Sequence, residues 1–552
     1  MLPSEILWPS AALVLAWPLL RQRWALSRAK HRSLAGHSRL AKRLARWLPG
    51  YSLDEQRFFD ADGAGPAIAA RRRAAFDALS AGFEQRHART LALTAEAREG
   101  LPDLQLTGRY RVPFPFSDLV SRRLRVGAFL QAAEGRHLVD LDGQRFIDLT
   151  GSYGVNVFGA DFYKACMAEA AQRASALGGT LGAYHPCVAD NVQRLRALSG
   201  LDAVSFHMSG TEAVMQAVRL ARYHTRRRHL VRFAGAYHGW WEDVQPGPGN
   251  PLPPRETYTL ADMSERSLAV LRQRRDIACV LVNPLQALHP NHNAPADSAL
   301  LAGRRSAGFD RAAYTRWLQR LREVCTERGI VLIFDEVFLG FRLAPGGAQA
   351  YFGVQADMVT YGKTLGGGFP VGVVCGRAAL MQRFRPERPA DLCLARGTFN
   401  AHPWVMAGMA AFLDRLASPA VQALYADQDA RWNDRAARFN AAMAEAGLPV
   451  VATNLQSIWT LGFTEASRYH WMFAYCLRWQ GLALSWVGTG RLIFSLDLGE
   501  AEFDEVLQRF LAAGRDMQAG GWWLPPGQTP AAGPLRRRMA REWGRAVLGR
   551  RA

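Results

Sequence analysis

The sequence predicts an α/β fold: a mostly parallel central sheet flanked by helices, with a smaller α+β C-terminal domain and an extra helical N-terminal region. Two observations carry this expectation. Short β-branched or aromatic runs alternate with amphipathic stretches of helical length up to about residue 385. Runs such as Ala278–Val282 (ACVLV) and Ile330–Phe334 (IVLIF) are apolar throughout, as strands buried on both faces of a parallel sheet are. The length of 552 residues allows several domains or one large two-domain enzyme with appendages.

The elements read in order as follows. Residues 1–50 form an apolar and then basic segment. Ile6–Leu20 is mostly apolar but too short to cross a bilayer, and only Glu5 precedes it, where a secretory signal would carry positive charge. A basic block follows, interleaved with tryptophans, which suits an interfacial membrane anchor on an otherwise cytoplasmic protein. Residues 51–110 read as a polar helical extension. Residues 111–400 hold an N-terminal arm and the large domain, 401–515 the small domain, and 516–552 a Pro/Gly linker with a basic tail.

The net charge of +20 comes from 68 basic and 48 acidic residues. Residues 21–50 carry nine Lys/Arg and no acid, and residues 535–552 carry seven Arg against one Glu. The charge therefore belongs mainly to the two ends and speaks of attachment, with no nucleic acid expected at the main domain. Only four of the basic residues are lysines: Lys30, Lys42, Lys164 and Lys363. Arginine replaces most surface ammonium groups but cannot do amine chemistry, so each remaining lysine invites a reason. Seven scattered cysteines without a CxxC pair argue for a reducing compartment and against a zinc site. His289 and His292 (HPNH) read as a surface loop, with no metal expected.

Three motifs carry chemistry. Ser209-Gly210-Thr211-Glu212 follows a strand-like run and opens a helix. Ser209 and Glu212 fit a capping box, and Gly210 would let the backbone approach an anion at the helix start. Asp335 and Glu336 stand at the carboxyl end of a buried strand, where α/β ligand sites form and where an Asp can hold a cationic ring nitrogen. Lys363 sits among small, aromatic and apolar neighbours before three glycines, a setting that favours a neutral, nucleophilic amine and a Schiff base. Each motif alone has a plain structural reading. Phosphate cradle, ring-nitrogen acid and Schiff-base lysine together are what pyridoxal 5'-phosphate needs.

These residues resemble the class III pyridoxal-phosphate aminotransferases, and most closely glutamate-1-semialdehyde aminomutase and the aminotransferases associated with polyketide and peptide synthetases. The resemblance covers roughly residues 110–515. Its strongest stretch is Gly346–Gly376, and SGTEA, AYHG, FDEVFLGFR and GTFNAHP stand in family order. It implies a fold type I transferase in which Lys363 forms the aldimine and Asp335 keeps the pyridine nitrogen protonated. Val337 and Tyr237 would pack on the two ring faces, beside His238. Ser209, Gly210 and Thr211 would bind the phosphate. Thr398 would reach the phosphate of a neighbouring subunit, which implies a homodimer with shared active sites.

Some positions depart from the family. Asn283 stands where relatives carry glutamate before proline. Ser485–Gly490 (SWVGTG) has no acid where the aminomutase has a glutamate. Ile493 aligns with an arginine that grips carboxylates in several members, a role that Arg123 or Arg125 would have to supply. Trp240 and Trp241 suggest a bulky apolar mouth. The expected function is transfer of an amino group from an amine or amino-acid donor to a carbonyl acceptor, hydrophobic or carrier-bound. The alternatives are an intramolecular 2,1-aminomutase and, in another class, a non-catalytic regulator or scaffold.

Overall fold

Six strands of the central sheet run parallel to one another, and the central ones among them are buried on both faces. In the computed structural model they are β1 (Ala203–His207), β2 (His229–Phe233), β3 (Thr257–Leu260), β4 (Ile277–Val282), β5 (Val331–Asp335) and β6 (Met358–Gly362). The seventh, β7 (Gly372–Gly376), is antiparallel to both its neighbours. The order across the sheet is β1-β7-β6-β5-β4-β2-β3. Every residue of β4, β5, β6 and β7 is buried. The structure describes residues 4–32, 34–245, 249–252, 254–293, 308–485, 491–525 and 529–549.

The chain divides into two units that interleave along it: 1–47, 166–293 and 310–422 form the first, and 48–165, 294–309 and 423–552 the second. The first unit holds the seven-stranded sheet. Its N-terminal helices are α1 (Ser4–Ala29) and α2 (Ser38–Trp47), and α3 (Cys187–Ser199) precedes β1. Helix α4 (Gly210–Thr225) lays Ala213, Val214, Ala217, Val218 and Ala221 on the sheet against Leu230, Ala278, Leu281 and Ile333. Each buried valine, leucine or isoleucine among them contributes about 1.5–3 kcal/mol of apolar transfer, and each alanine less. Helices α5 (Glu265–Gln273), α6 (Arg311–Arg328) and α7 (Pro403–Leu416) also belong to the unit. Asp310 caps α6 by accepting from the Ala313 amide, and Gly329, in the left-handed region, ends it.

The second unit contains an antiparallel sheet of Val450–Leu455, Ile458–Phe463 and Arg491–Ile493, packed with the helices Gln428–Glu445 and Glu500–Ala519. Its aromatic core includes Trp432, Trp459, Phe494 and Phe510. The stretch 51–110 is helical, but it is not simply polar. Phe58, Phe59, Phe76 and Phe83 are buried in that same core. Arg72, also buried, donates to both Asp62 carboxylate oxygens at 2.7 Å and to two backbone carbonyls. The basic C-terminal stretch forms a helix, Ala532–Gly549, fastened by Arg468–Glu542 at 2.8 Å. All seven cysteines are buried and unbridged.

Candidate active site

The site forms where β4, β5 and β6 end, because parallel strands open their carboxyl ends onto one edge of the sheet. Asp335 is the last residue of β5 and is buried. Its Oδ2 accepts from His238 Nδ1 at 2.8 Å. Its Oδ1 accepts from the Val337 amide and from Thr360 Oγ1, each at 3.2 Å. Thr360 sits opposite Asp335 in the β5–β6 register. Burial holds His238 below the usual histidine range, against the opposing pull of Asp335. The neutral ring therefore carries its proton on Nδ1, where it orients the carboxylate.

Lys363 follows β6 directly and opens a short 3-10 turn, Lys363–Gly366. Its φ of 49° lies in the left-handed region, which a residue with a side chain enters at a cost of about 1–3 kcal/mol and which recurs at functional sites. The turn closes on Gly367, also left-handed, where an added Cβ would fall 2.3 Å from the Gly408 carbonyl of α7. Lys363 Nζ lies 5.7 Å from the centre of the Phe338 ring.

Helix α4 starts beside these groups. Ser209 Oγ accepts from the Glu212 amide at 3.2 Å, but Glu212 reaches back to the Met208 amide at 3.0 Å rather than to Ser209. The capping box is thus displaced by one residue. No hydrogen bond among the described residues occupies the Gly210 or Thr211 amides, so both remain available at a positive helix end. The structure gives a further reason for glycine at 210, beside the approach of an anion read in the sequence. A Cβ there would lie 2.6 Å from Val337 Cγ1, so the close approach is to Val337.

The opposite wall is the turn after β2. Arg232, fully buried, donates to the carbonyls of Ala236 (3.0 Å) and Phe233 (3.3 Å) and to that of Val244, which holds the Tyr237–Gly239 turn in place. Burial lowers this guanidinium to about 10, so it remains charged at neutral pH. Asn283, just past β4, donates to the Tyr237 carbonyl at 3.1 Å and accepts from the Leu285 amide at 3.1 Å. Gly239 brings the turn onto the helix start: a Cβ there would fall 2.6 Å from Thr211 Oγ1.

Together these elements enclose a cavity of about 260 Å³. Ser209, Gly210, Thr211, Tyr237, His238, Asp335, Val337 and Lys363 all line it, with Asn283, Phe338 and Val371. Thr398 does not line it; it is exposed beside Phe399. Phe399 belongs to a second, open cleft with Phe369, Trp404 and Val405, which shares Met208 and Pro370 with the cavity. The tryptophan pair does not form a mouth: Trp240 is 71% exposed, and Trp241 packs against the hydrophobic core under α4. His289 is buried, contrary to the surface-loop reading, while His292 is exposed and lies edge-on to His31. Arg123 pairs with Asp77 and Arg125 with Glu84. Residues 486–490 of the SWVGTG segment lie outside the described residues.

Thr360, Phe338 and Arg232 were not expected as site residues. A threonine in the otherwise apolar β6 and an arginine inside β2 were the available signals. Glu336, adjacent to Asp335, points away from the chemistry. It is fully buried and accepts from the Ala348 and Gln349 amides at 2.6 and 3.0 Å, and burial raises it to about 7.

The donor set fits pyridoxal 5'-phosphate on the geometry alone. One carboxylate, one amine and one set of unused helix-start amides face a single cavity, and the glycines at 210 and 239 hold its walls together by contacts that a Cβ would break. The comparisons agree. The family profile "Aminotransferase class-III" matches residues 120–243 and 265–510. A glutamate-1-semialdehyde 2,1-aminomutase of Alkaliphilus oremlandii is 34% identical over 305 residues, or 52% of this chain and 66% of that protein, just under two-thirds. The same enzyme of Desulfotalea psychrophila is 34% identical over 360 residues, or 61% of this chain and 76% of that protein. A solved structure of a transaminase with PLP bound superposes with a TM-score of 0.61 at 27% identity, covering 78% of this chain and 98% of that one. The chain belongs to the class III aminotransferases and is a pyridoxal-phosphate-dependent enzyme of that family.

Proposed function

We propose that the enzyme moves an amino group from an amine or amino-acid donor to a hydrophobic or carrier-bound carbonyl acceptor. The observation that carries this is the join between the two cavities. The site's cavity shares Met208 and Pro370 with an apolar cleft of about 570 Å³ lined by Phe369, Phe399, Trp404 and Val405. Among the lining residues of both there is no arginine to grip a small acid.

The cofactor would supply an electron sink for the substrate carbon. Lys363 would hold it covalently and, once released, move a proton as a neutral amine. Asp335 would hold a proton on the ring nitrogen, with His238, Thr360 and the Val337 amide keeping the carboxylate in place. Val337 and Tyr237 would pack on its two faces. The Gly210 and Thr211 amides, with Ser209, would receive the phosphate. Thr398, exposed in this chain, would complete the phosphate site of a second copy in a homodimer. Helices α1 and α2 would attach the enzyme to a membrane surface.

The names of the similar proteins favour a second reading, an aminomutase on glutamate-1-semialdehyde. The test is to load the purified enzyme with the amino group and follow its absorbance as acceptors are added. Long-chain or carrier-bound aldehydes and ketones should unload it, and Lys363→Ala should abolish both the visible band and turnover. Unloading by small free α-keto acids alone would overturn the acceptor proposal. Isomerisation of glutamate-1-semialdehyde without a separate donor would establish the second reading.

A further inference from the structure

We propose that α1 and α2 dock the enzyme on the surface of a bilayer rich in anionic lipid, lying along it rather than crossing it. This rests on the membrane attachment given above and names its lipid and its contact face. Among the described residues, no helix is long and apolar enough to span a membrane.

The outer face of α1 is a stripe at helical spacing. Trp17, Leu20, Arg21, Trp24 and Arg28 fall on one side of the helix, at successive intervals of three, one, three and four residues, and all are exposed. The two tryptophans are each 62% exposed. Arg28 stacks on Trp24 with its guanidinium carbon 4.5 Å from the ring centre. On α2, Leu40, Arg43 and Trp47 repeat the pattern, with Trp47 72% exposed. Rings and aliphatic side chains left in water beside arginines match the headgroup layer of a bilayer, where the rings sit at the interface and the cations meet phosphates.

Other residues of the helices hold the body of the first unit. Ala29 is buried and its carbonyl accepts from the Ala261 amide at 2.8 Å. Lys42 donates to the Asn250 carbonyl. The exposed stripe is therefore not a packing face turned outward. The positive charge continues from α1 into a cleft at the start of α5, where Arg28, Lys30, His31, Arg32 and Arg266 outnumber one acid, Glu265.

Charge decides the occupant. Residues 21–50 carry nine cations and no acid, so two copies meeting face to face through this stripe would repel. Nucleic acid would satisfy the arginines but leave the leucines and tryptophans in water. An anionic bilayer satisfies both.

The experiment uses the full-length holoenzyme and two vesicle types, phosphatidylcholine alone and phosphatidylcholine with about one-third phosphatidylglycerol. Flotation should carry the enzyme only with the anionic vesicles, with a blue shift of tryptophan emission, and about 0.5 M salt should release it. Arg21→Ala/Arg28→Ala should weaken binding roughly 30-fold, since each cation near such a surface contributes about fivefold. Trp17→Ala/Trp24→Ala should abolish the emission shift, with turnover of a soluble acceptor unchanged. Equal, salt-insensitive binding to both vesicle types would overturn the anionic inference while leaving attachment intact. Binding to neither would overturn both. Undiminished binding by the variants would place the contact elsewhere, and a change of oligomeric state in the tryptophan variant would assign the stripe to self-association.

Discussion

Substituting Gly210 by alanine separates two reasons for a glycine at the start of α4. An ideal Cβ there falls 2.6 Å from Val337 Cγ1 and 3.0 Å from Cγ2. Carbon atoms in contact settle at about 3.5–4.0 Å, so the pair is short by roughly 1 Å. Either Val337 leaves its rotamer or the helix start shifts, and overpacking of this kind costs about 1–3 kcal/mol. Val337→Ala removes both Cγ atoms and by itself costs roughly 1–2 kcal/mol. In the double variant the colliding atoms are gone, so its stability should match that of Val337→Ala, with a coupling of about 1–3 kcal/mol. Denaturation of the four proteins, followed by circular dichroism beside a cofactor titration, measures this. Full stability of Gly210→Ala, or strictly additive losses, would refute the packing argument. Unchanged stability with weakened cofactor retention would restore the reason read from the sequence, approach of an anion.

Two further outcomes follow from the buried histidines. His238→Phe keeps the packing but removes one charge-assisted bond from Asp335, about 1.5–3 kcal/mol, so cofactor retention should fall roughly 10- to 100-fold on dialysis; unchanged retention would show that Thr360 and the Val337 amide suffice. His207 is pushed down to about 4 by burial, with Arg383 adding to the effect. The unfolded chain takes up that proton before the folded one does, so stability falls as pH drops from about 6.5 towards 4, by roughly 3 kcal/mol at the end of the window. Denaturation midpoints measured across that window should fall less steeply in His207→Gln, and parallel slopes would refute this assignment.

Much of the site was legible because its chemistry lies at strand ends, where an apolar run meets a charged residue. The apolar runs before Asp335 and Lys363 mark strands, and the strands at 277–282 and 331–335 lie within one residue of their sequence reading. What escaped was set by contacts distant in sequence. Glu336 looks like a second acid of a pair, yet its role is to receive two amides twelve and thirteen residues on. Phe58, Phe59, Phe76 and Phe83 are too sparse among charged residues to announce a core, and their partners, such as Trp471 and Trp522, lie some 400 residues away. Trp241 turns inward while its neighbour Trp240 turns outward, a choice made by the core of α4 and not by the dipeptide. The reversed strand β7 is as apolar as its parallel neighbours, so its direction leaves no mark on composition.

That reversed strand has a kinetic consequence. Its register sets Gly372 opposite Gly362 on one side and opposite His207 on the other. The nine residues from Lys363 to Val371 are therefore a closed loop, both of whose ends are clamped in the sheet. An amine on such a loop cannot diffuse away when its bond to a bound carbonyl is broken. Well-oriented intramolecular groups compete as though present at about 100,000 M or more, far beyond any amine in solution. On the proposed role of Lys363, each release of its amine would thus be a short excursion, with little time for water or a stray amine to intercept the site.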